Sequence, residues 1–495
     1  MNNFYFNDLV KGRYGRRIAY TDYDYVDESN IVKIVGECIG VHNQNKAAIK
    51  YLWDYMKGDQ PALYRTKTSR DDIINHVVEN HAWEIVQFKC GQTYGEPIQI
   101  IALTDDKQVN KFVDKFNSYM RAINKSAKDI ECGQWQSAVG TGYKAIQMSG
   151  DKELPVRLTV PTPMNTFVIY SRITDEALVS VQELKNVDGE TYLLCFTTSH
   201  EYRIQNSKLL GLGYNNSGEV VFSKLHAFGG IPIVEYPNNP ERISDIELVI
   251  TMLDAINNMQ SNRMDAIEQF VQSWVKFINC EIDGKSFEEM KQMGALAVNS
   301  TGDKNADVDI ISQELKQSEA QVSKDDIWNN VLSISAIPNK QGNASGDTQG
   351  AVELRNGWDF SKQRARMKDP FVVEAERKID RIALNIIRIR GNNDCPLKPL
   401  DFDVQINHSP TDNMQVKAQS LQMLLSAGIH PLIALKVVGL FPDSEKTYNL
   451  SKPYMDVLYK TIDMVEDAKE QELKAQQLLA SQQNKDNKVN EDESK

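Results

Sequence analysis

Apolar residues recur with two different periods along the chain, and the switches between them mark its segments. In residues 71–89, DDIINHVVENHAWEIVQFK, apolar positions fall at Ile74, Val77, Val78, Ile85 and Phe88, near a 3.6-residue repeat. That spacing predicts a helix, with Asp71 and Asp72 favouring its N-terminal dipole end. A second helix is expected over 106–127. His81 would lie on the buried side of the first, as a packed core histidine. From 154 the period shortens. Val156, Leu158 and Val160 alternate with polar residues, as do Val179 and Val181 leading to Leu184. NVDGE at 186–190 then carries an Asp-Gly hairpin signal. The stretch 154–225 therefore reads as a small antiparallel β-rich section, closing with the strand EVVFSKL.

After 238 the helical period returns. Asn239 is placed as an N-cap, with Pro240 at the first helical position. Apolar residues recur at Ile246, Val249, Ile250, Leu253, Ile256, Met259, Met264, Ile267, Phe270, Val271 and Trp274, and neither Gly nor Pro interrupts residues 241–274. A helix of that extent would be about 50 Å long. That is well above the ordinary globular mean, and implies either a coiled coil or packing by neighbours in an assembly. Residues 275–316 read as a polar module of short strands with a helix near 286–293. A second helix is expected at 317–335. The bare polar loop NKQGNASGDTQG occupies 339–350. A long helical pattern over 351–390 should kink at Pro370. Residues 400–407 alternate as a strand. Residues 411–480 are helical again, interrupted at 428–431 and 441–443, before a polar tail at 481–495 whose composition implies disorder.

Composition narrows the functions available. The 495 residues are 41% hydrophobic and 25% charged, an ordinary globular balance. No run reaches the roughly 18–20 apolar residues that span a bilayer, and the N-terminus lacks a signal-peptide core, so no membrane role and no export are expected. The six cysteines are scattered without a CxxC pair, which argues against a zinc site or a disulfide framework. The net charge of −12 disfavours a surface that grips nucleic acid throughout. It remains compatible with a protein that lets DNA pass.

No catalytic constellation stands out. GTGYK at 140–144 and GLGYNNSG at 211–218 match neither phosphate-binding pattern and read as turns. His76 and His81 are five apart, off the i,i+4 face a helical metal pair needs. His200 and Glu201 lie adjacent in a strand and point to opposite faces. Asp71/Asp72, Asp325/Asp326 and the terminal acidic run are explained by helix N-termini and solvated tails. No catalytic residue, metal or cofactor is expected.

Several blocks, taken in order, carry a family likeness: YLWDYMKGDQPALYR (51–65), NHAWEIVQFKCGQTYGEPIQI (80–100) with Tyr94-Gly95-Glu96-Pro97, the stretch beginning GGIPIVEYPNNPERISDIELVITMLDAINNMQ, and SISAIPNKQGNASGDTQGAVELR. Their order and spacing resemble the siphovirus-type portal proteins of tailed bacteriophages over roughly residues 45–390. The resemblance implies an α+β, predominantly helical fold of wing, stem, clip and crown that assembles as a ring around a channel. It implies a wing at 1–238, a stem helix at 239–274 packed through Ile246, Ile250, Leu253, Ile256 and Ile267, and a clip at 275–316. In the clip, Asp283, Lys285, Glu288, Glu289 and Lys291 would meet partners. A second stem helix would follow at 317–335, then a tunnel loop at 336–350. That loop would present Asn339, Lys340, Gln341, Asn343, Ser345, Asp347, Thr348 and Gln349 to double-stranded DNA. Residues 351–408 would form the kinked wing helix and returning strand, and 409–480 the crown.

The implied function is a dodecameric vertex of the virion, made in the bacterial cytoplasm. Through it the terminase large subunit packages DNA that later leaves. Head-completion or adaptor proteins, and the major capsid and scaffolding proteins, would be its neighbours. Relatives often carry a bulkier or more basic tunnel loop, whereas here Lys340 is the only cation and Asp347 opposes it. The alternatives from the residues alone are a non-channel capsid scaffold or adaptor, or an enzyme with an unrecognised site.

Overall fold

The computed structural model describes residues 14–68, 72–104, 106–151, 153–215, 217–271, 274–278, 307–311, 317–339, 357–390, 397–408, 414–441, 444 and 447–455. The chain divides into two compact units, 1–408 and 409–495.

The first unit opens with a short strand β1 (Ala19–Thr21) and a 26-residue helix α1 (Ile31–Met56). Helix α1 serves two cores. Its first half, with Ile31, Ile34, Val35 and Cys38, packs on a sheet. Its second half, with Ile49, Leu52 and Met56, packs on helices further along. Next come α2 (His81–Tyr94), β2 (Gln99–Ala102), α3 (Lys107–Ala122) and α4 (Lys125–Val139). The helix expected at 106–127 is thus two helices, parted where Asn124 takes a left-handed φ of 58°.

Strands follow in close succession: β3 (Thr141–Met148), β4 (Val156–Thr159), β5 (Thr166–Ser171), β6 (Ala177–Lys185), β7 (Thr191–Phe196), β8 (His200–Gln205), β9 (Lys208–Leu209), β10 (Gly213–Tyr214), β11 (Val220–Val221), β12 (Ser223–Leu225) and β13 (Ile233–Pro237). The main sheet has the order β1-β5-β6-β7-β8-β12, with β9 beside β8. The expected Asp-Gly turn joins β6 to β7: Gly189 has φ 84° and its N–H reaches Asn186 O at 3.1 Å. Strand β3 lies in a different sheet, between β4 and β13. GTGYK is therefore not a turn. Gly140 ends α4 in the left-handed region, and Thr141 to Lys144 begin a buried strand.

Helix α5 (Ile250–Val271) leads into β14 (Trp274–Ile278), which pairs antiparallel with β15 (Asp307–Ile311). Helix α6 (Gln317–Ile334) follows, and Asp325 and Asp326 sit within it rather than at its start. Helices α7 (Trp358–Arg366) and α8 (Asp369–Arg390) replace one long helix. The break falls at Met367 and Lys368, just ahead of Pro370, whose missing N–H is tolerated in a first turn. Strand β16 (Phe402–Gln405) returns to pair with β2. His408, just beyond it, holds Asp369 at the head of α8 (2.7 Å) and Gln92 O (2.8 Å). In the second unit, α9 (Met414–Ser426) and α10 (Pro431–Val438) are separated by Gly428 (φ 77°) and by His430, which caps Leu432 N–H.

Helix α8 is seated over a buried set of charges. Lys144 of β3 meets Asp129 of α4 and Glu376 of α8, the latter at 2.5 Å. Lys125 meets Asp129 at 2.7 Å and Glu376 at 3.0 Å. Tyr236 donates to Glu376 (3.1 Å), and its ring lies 4.4 Å from Lys144 Nζ. Burial alone would push Lys144 down. The Asp129 and Glu376 carboxylates outweigh burial and keep it charged.

Candidate functional site: helix α5 and its socket

The stretch expected to be one helix from 241 begins as an elbow. Asn239 does not cap a helix; its side-chain oxygen accepts Ile243 N–H at 2.8 Å and its amide donates to Ile243 O at 2.8 Å. Arg242 turns with φ 54°, and its guanidinium holds Glu235 at 3.1 and 3.2 Å. Ser244 Oγ lies against Ser137 O and Ala138 O (3.0 and 2.8 Å), Ser137 Oγ donates to Asp245 (2.6 Å), and Glu247 forms a buried pair with Arg16. The Asn239 bonds take the Ile243 N–H and C=O that a helix would have used, and the other bonds fasten the side chains of this stretch to α4, β13 and Arg16. The chain then makes a short 3₁₀ turn, Glu247–Val249, and α5 starts at Ile250. Trp274 belongs to β14. At 1.5 Å per residue, α5 is about 33 Å long, not about 50 Å.

Gly140 sits under this elbow. A Cβ there would lie 1.9 Å from Arg242 O, at φ 88°. Gly140→Ala is expected to lower stability by more than about 1 kcal/mol, because both the clash and the φ must be relieved. A thermal melt equal to the parent chain would contradict the close approach.

The proposed stem-packing residues do not share one environment. Ile246, Ile250, Leu253 and Ile256 are at most 2% exposed. They pack within the protomer against Ile49, Leu52 and Met56 of α1, Ile85 and Val86 of α2, and Val331 and Leu332 of α6. Ile267 is 37% exposed and Met264 39%. The first half of α5 is therefore socketed among α1, α2 and α6 of its own chain, while the second half keeps apolar surface outside.

A polar seam runs down another face of α5. Asn257, Ser261 and Asp265 stand four residues apart, and each takes hold of the extended segment 75–79. Asn257 accepts Glu79 N–H at 2.8 Å and donates to Gln60 at 2.5 Å. Ser261 accepts Val77 N–H at 3.0 Å and donates to Val77 O at 3.2 Å. Asp265 accepts Asn75 N–H at 2.6 Å and meets Arg65 at 2.8 Å, with Lys67 also in contact. Burial alone would raise Asp265, but Lys67, Asn75 and Arg65 hold it below the usual carboxylate range. This seam is why residues 72–80 are extended rather than helical. Their backbone groups are bonded to α5 instead of to each other. The helix begins only at His81, after Asn80, whose side chain accepts Trp83 N–H. The i,i+4,i+8 polar spacing was legible in the sequence; its target was not.

Helix α6 grips the same segment. Lys324 Nζ meets Glu79 at 2.5 Å, and Arg263 of α5 donates to Gln321 of α6 at 2.8 Å. His81 is half-buried rather than in the core. It contacts Glu79 at 3.1 Å and stacks on Trp328 of α6 with centroids 3.9 Å apart. After α6 the chain turns at Ala336 (φ 51°), and Ile337 returns to the core through its N–H to Leu332 O, 2.9 Å. The first residues assigned to the tunnel loop are thus part of the socket. Asn339 donates to Asn329 at 3.1 Å. Lys340, Gln341, Asn343, Ser345, Asp347, Thr348 and Gln349 lie outside the described residues, as do Asp283, Lys285, Glu288, Glu289 and Lys291 and the tail at 481–495.

Among the described residues no cluster of three or more His, Cys, Asp or Glu could hold a metal, and no helix is long and apolar enough to cross a membrane. Burial pushes the Cys90 thiol up to about 11, and burial followed by the nearby Lys46 charge takes His42 down to about 4. Both groups are in their unreactive neutral forms at neutral pH.

Helix α5 is thus held by packed helices on one face and by side-chain-to-backbone bonds on another. No curated protein matches the chain. Among solved structures, a chain from the neck of an empty GTA particle, computed with C6 symmetry, is similar at 10% identity and a TM-score of 0.44, covering 73% of this chain and 90% of that one. The family model for phage portal protein, SPP1 Gp6-like, matches residues 35–477. A match over that span places the chain in the phage portal protein family.

Proposed function

We propose that this portal protein closes into a ring, a dodecamer, at one capsid vertex of the virion, and that double-stranded DNA is packaged and later ejected through the ring's channel. The match along residues 35–477 carries this reading. The half-exposed Ile267 and Met264 on the distal part of α5 support it, since a neighbouring copy would cover them. In this reading the terminase large subunit and then a head-completion or adaptor protein dock at the clip, around Asp283, Lys285, Glu288, Glu289 and Lys291. Major capsid and scaffolding proteins surround the wing. The net charge of −12 suits a duct, because a strongly basic wall would hold the duplex through counterion release. The protein acts as a conduit and carries no reaction of its own.

The tunnel loop spans 336–350 in this reading and contains the stretch 341–349. Shortening that stretch is expected to leave rings intact in electron micrographs while phage yield falls at the packaging or retention step. Normal yield from intact shortened rings refutes a channel role for the loop. Compact monomers of the full chain at every salt concentration refute the ring.

A further inference from the structure

The charge set beneath α8 has an odd carboxylate. Two cations, Lys125 and Lys144, face three acids, Asp129, Glu376 and Asp380. All five residues are at most 5% exposed. The lysines are matched to Asp129 and Glu376 by the contacts given above. Asp380 lies one helical turn beyond Glu376 on the same face of α8 and is 2% exposed. Its Oδ1 has no hydrogen-bond partner. Two cations balance two carboxylates, and a third ionised carboxylate in this space would be an uncompensated buried charge. The uncharged groups around the set are Tyr236 of β13, Tyr94 of α2 and Cys132 of α4, the last two with burial pushing their protons more firmly on. A third cation, Lys368 just ahead of α8, has a buried Nζ and acts on Cys90, Cys132, Asp245 and Asp369. The other charges on α8 belong to its outer face. Arg377 pairs with Asp403 of β16 at 2.6 Å, and Lys378 with Glu374 at 2.6 Å. Arg388 and Arg390 reach the backbone oxygens of Leu397 and Ser149.

We infer that Asp380 keeps a proton in the folded chain at neutral pH, and that the buried set of Lys125, Asp129, Lys144, Glu376 and Asp380 is a titratable latch fastening α8 to α4 and β3. Burial first, and the neighbouring Glu376 second, raise Asp380 to about 8. A free aspartate titrates near 4. Between those values the folded chain holds a proton that the unfolded chain releases. Stability from this group is thus full in acid, falls as pH rises through the window, and changes no further above it. Above the window the folded chain itself carries the third negative charge. The contact between α8 and the strands beneath it then weakens.

The test compares the full-length protein with Asp380→Asn, which has the shape of the protonated acid and cannot ionise. Asp380→Leu is a second neutral variant should the first fold poorly. The melting temperature of the neutral variants, relative to the parent, is expected to rise by several degrees between about pH 5 and pH 8 and then level off. A protonated-carboxyl infrared band at neutral pH should be weaker in Asp380→Asn. A melting difference that is flat with pH in both variants overturns the stored proton. The latch is read separately by hydrogen exchange of peptides covering residues 376–384. Above about pH 8 the parent should exchange several-fold faster than Asp380→Asn. Equal rates there overturn the latch.

Discussion

Leu253→Asp is expected to prevent the protomer from folding, not merely from assembling. Leu253 is 2% exposed and belongs to the core that joins α1, α2, α5 and α6. The substitution removes a packed side chain and leaves a carboxylate among aliphatic neighbours with no cation to meet it. The cost is about 4–5 kcal/mol or more, which approaches the whole stability of many domains. Circular dichroism and the soluble yield of the variant read this directly. A soluble, fully helical monomer that fails only to form rings would show that Leu253 faces a neighbouring copy instead. Ile250→Asp should behave alike. Ile267→Asp, on the exposed distal half, should fold normally and is the variant to examine for an assembly defect.

Lys144→Met is expected to cost about 3–5 kcal/mol, the range for removing one partner of a buried ion pair. The apolar part of the lysine stem is retained by Met, so the loss is electrostatic. Asp129 and Glu376 are left confronting each other with only Lys125 between them. A drop of many degrees in melting temperature is the expected readout. A change under about 1 kcal/mol would mean that water already relieves this set.

Elements whose hydrogen bonds are local were legible from the chain. The helix at 317–335, the Asp-Gly turn of 186–190 and the break beside Pro370 all follow from period and turn chemistry that neighbouring residues satisfy themselves, and the strand within 400–407 follows from its alternation although its partner β2 is distant. The misreadings lie where distant residues take over the backbone. Residues 72–80 have a helical apolar period, but Asn257, Ser261 and Asp265 claim their backbone groups across about 180 positions. Residues 239–249 have it too, but Ser137, Ala138 and Glu235 claim that stretch. Lys144 lies in a buried strand, although the glycines beside it read as a turn. A lone lysine at a buried strand position is itself a sign of an ion partner elsewhere. Along α5 an apolar stripe marks a face that packs, yet a stripe does not say whose surface covers it. Four of its residues are buried by their own chain, whereas Ile267 is 37% exposed.

The elbow at 239–249 has a consequence for how force travels. It is pinned to α4, to β13 and to Arg16 by the side chains of Arg242, Ser244, Asp245 and Glu247, and Gly140 leaves its backbone no clearance. A linker so fastened is a weld and not a pivot. A load applied at the far end of α5 would therefore be passed with little loss to α4 and β13, as torque on a rigid lever, and any compliance along this path comes from bending of α5 itself.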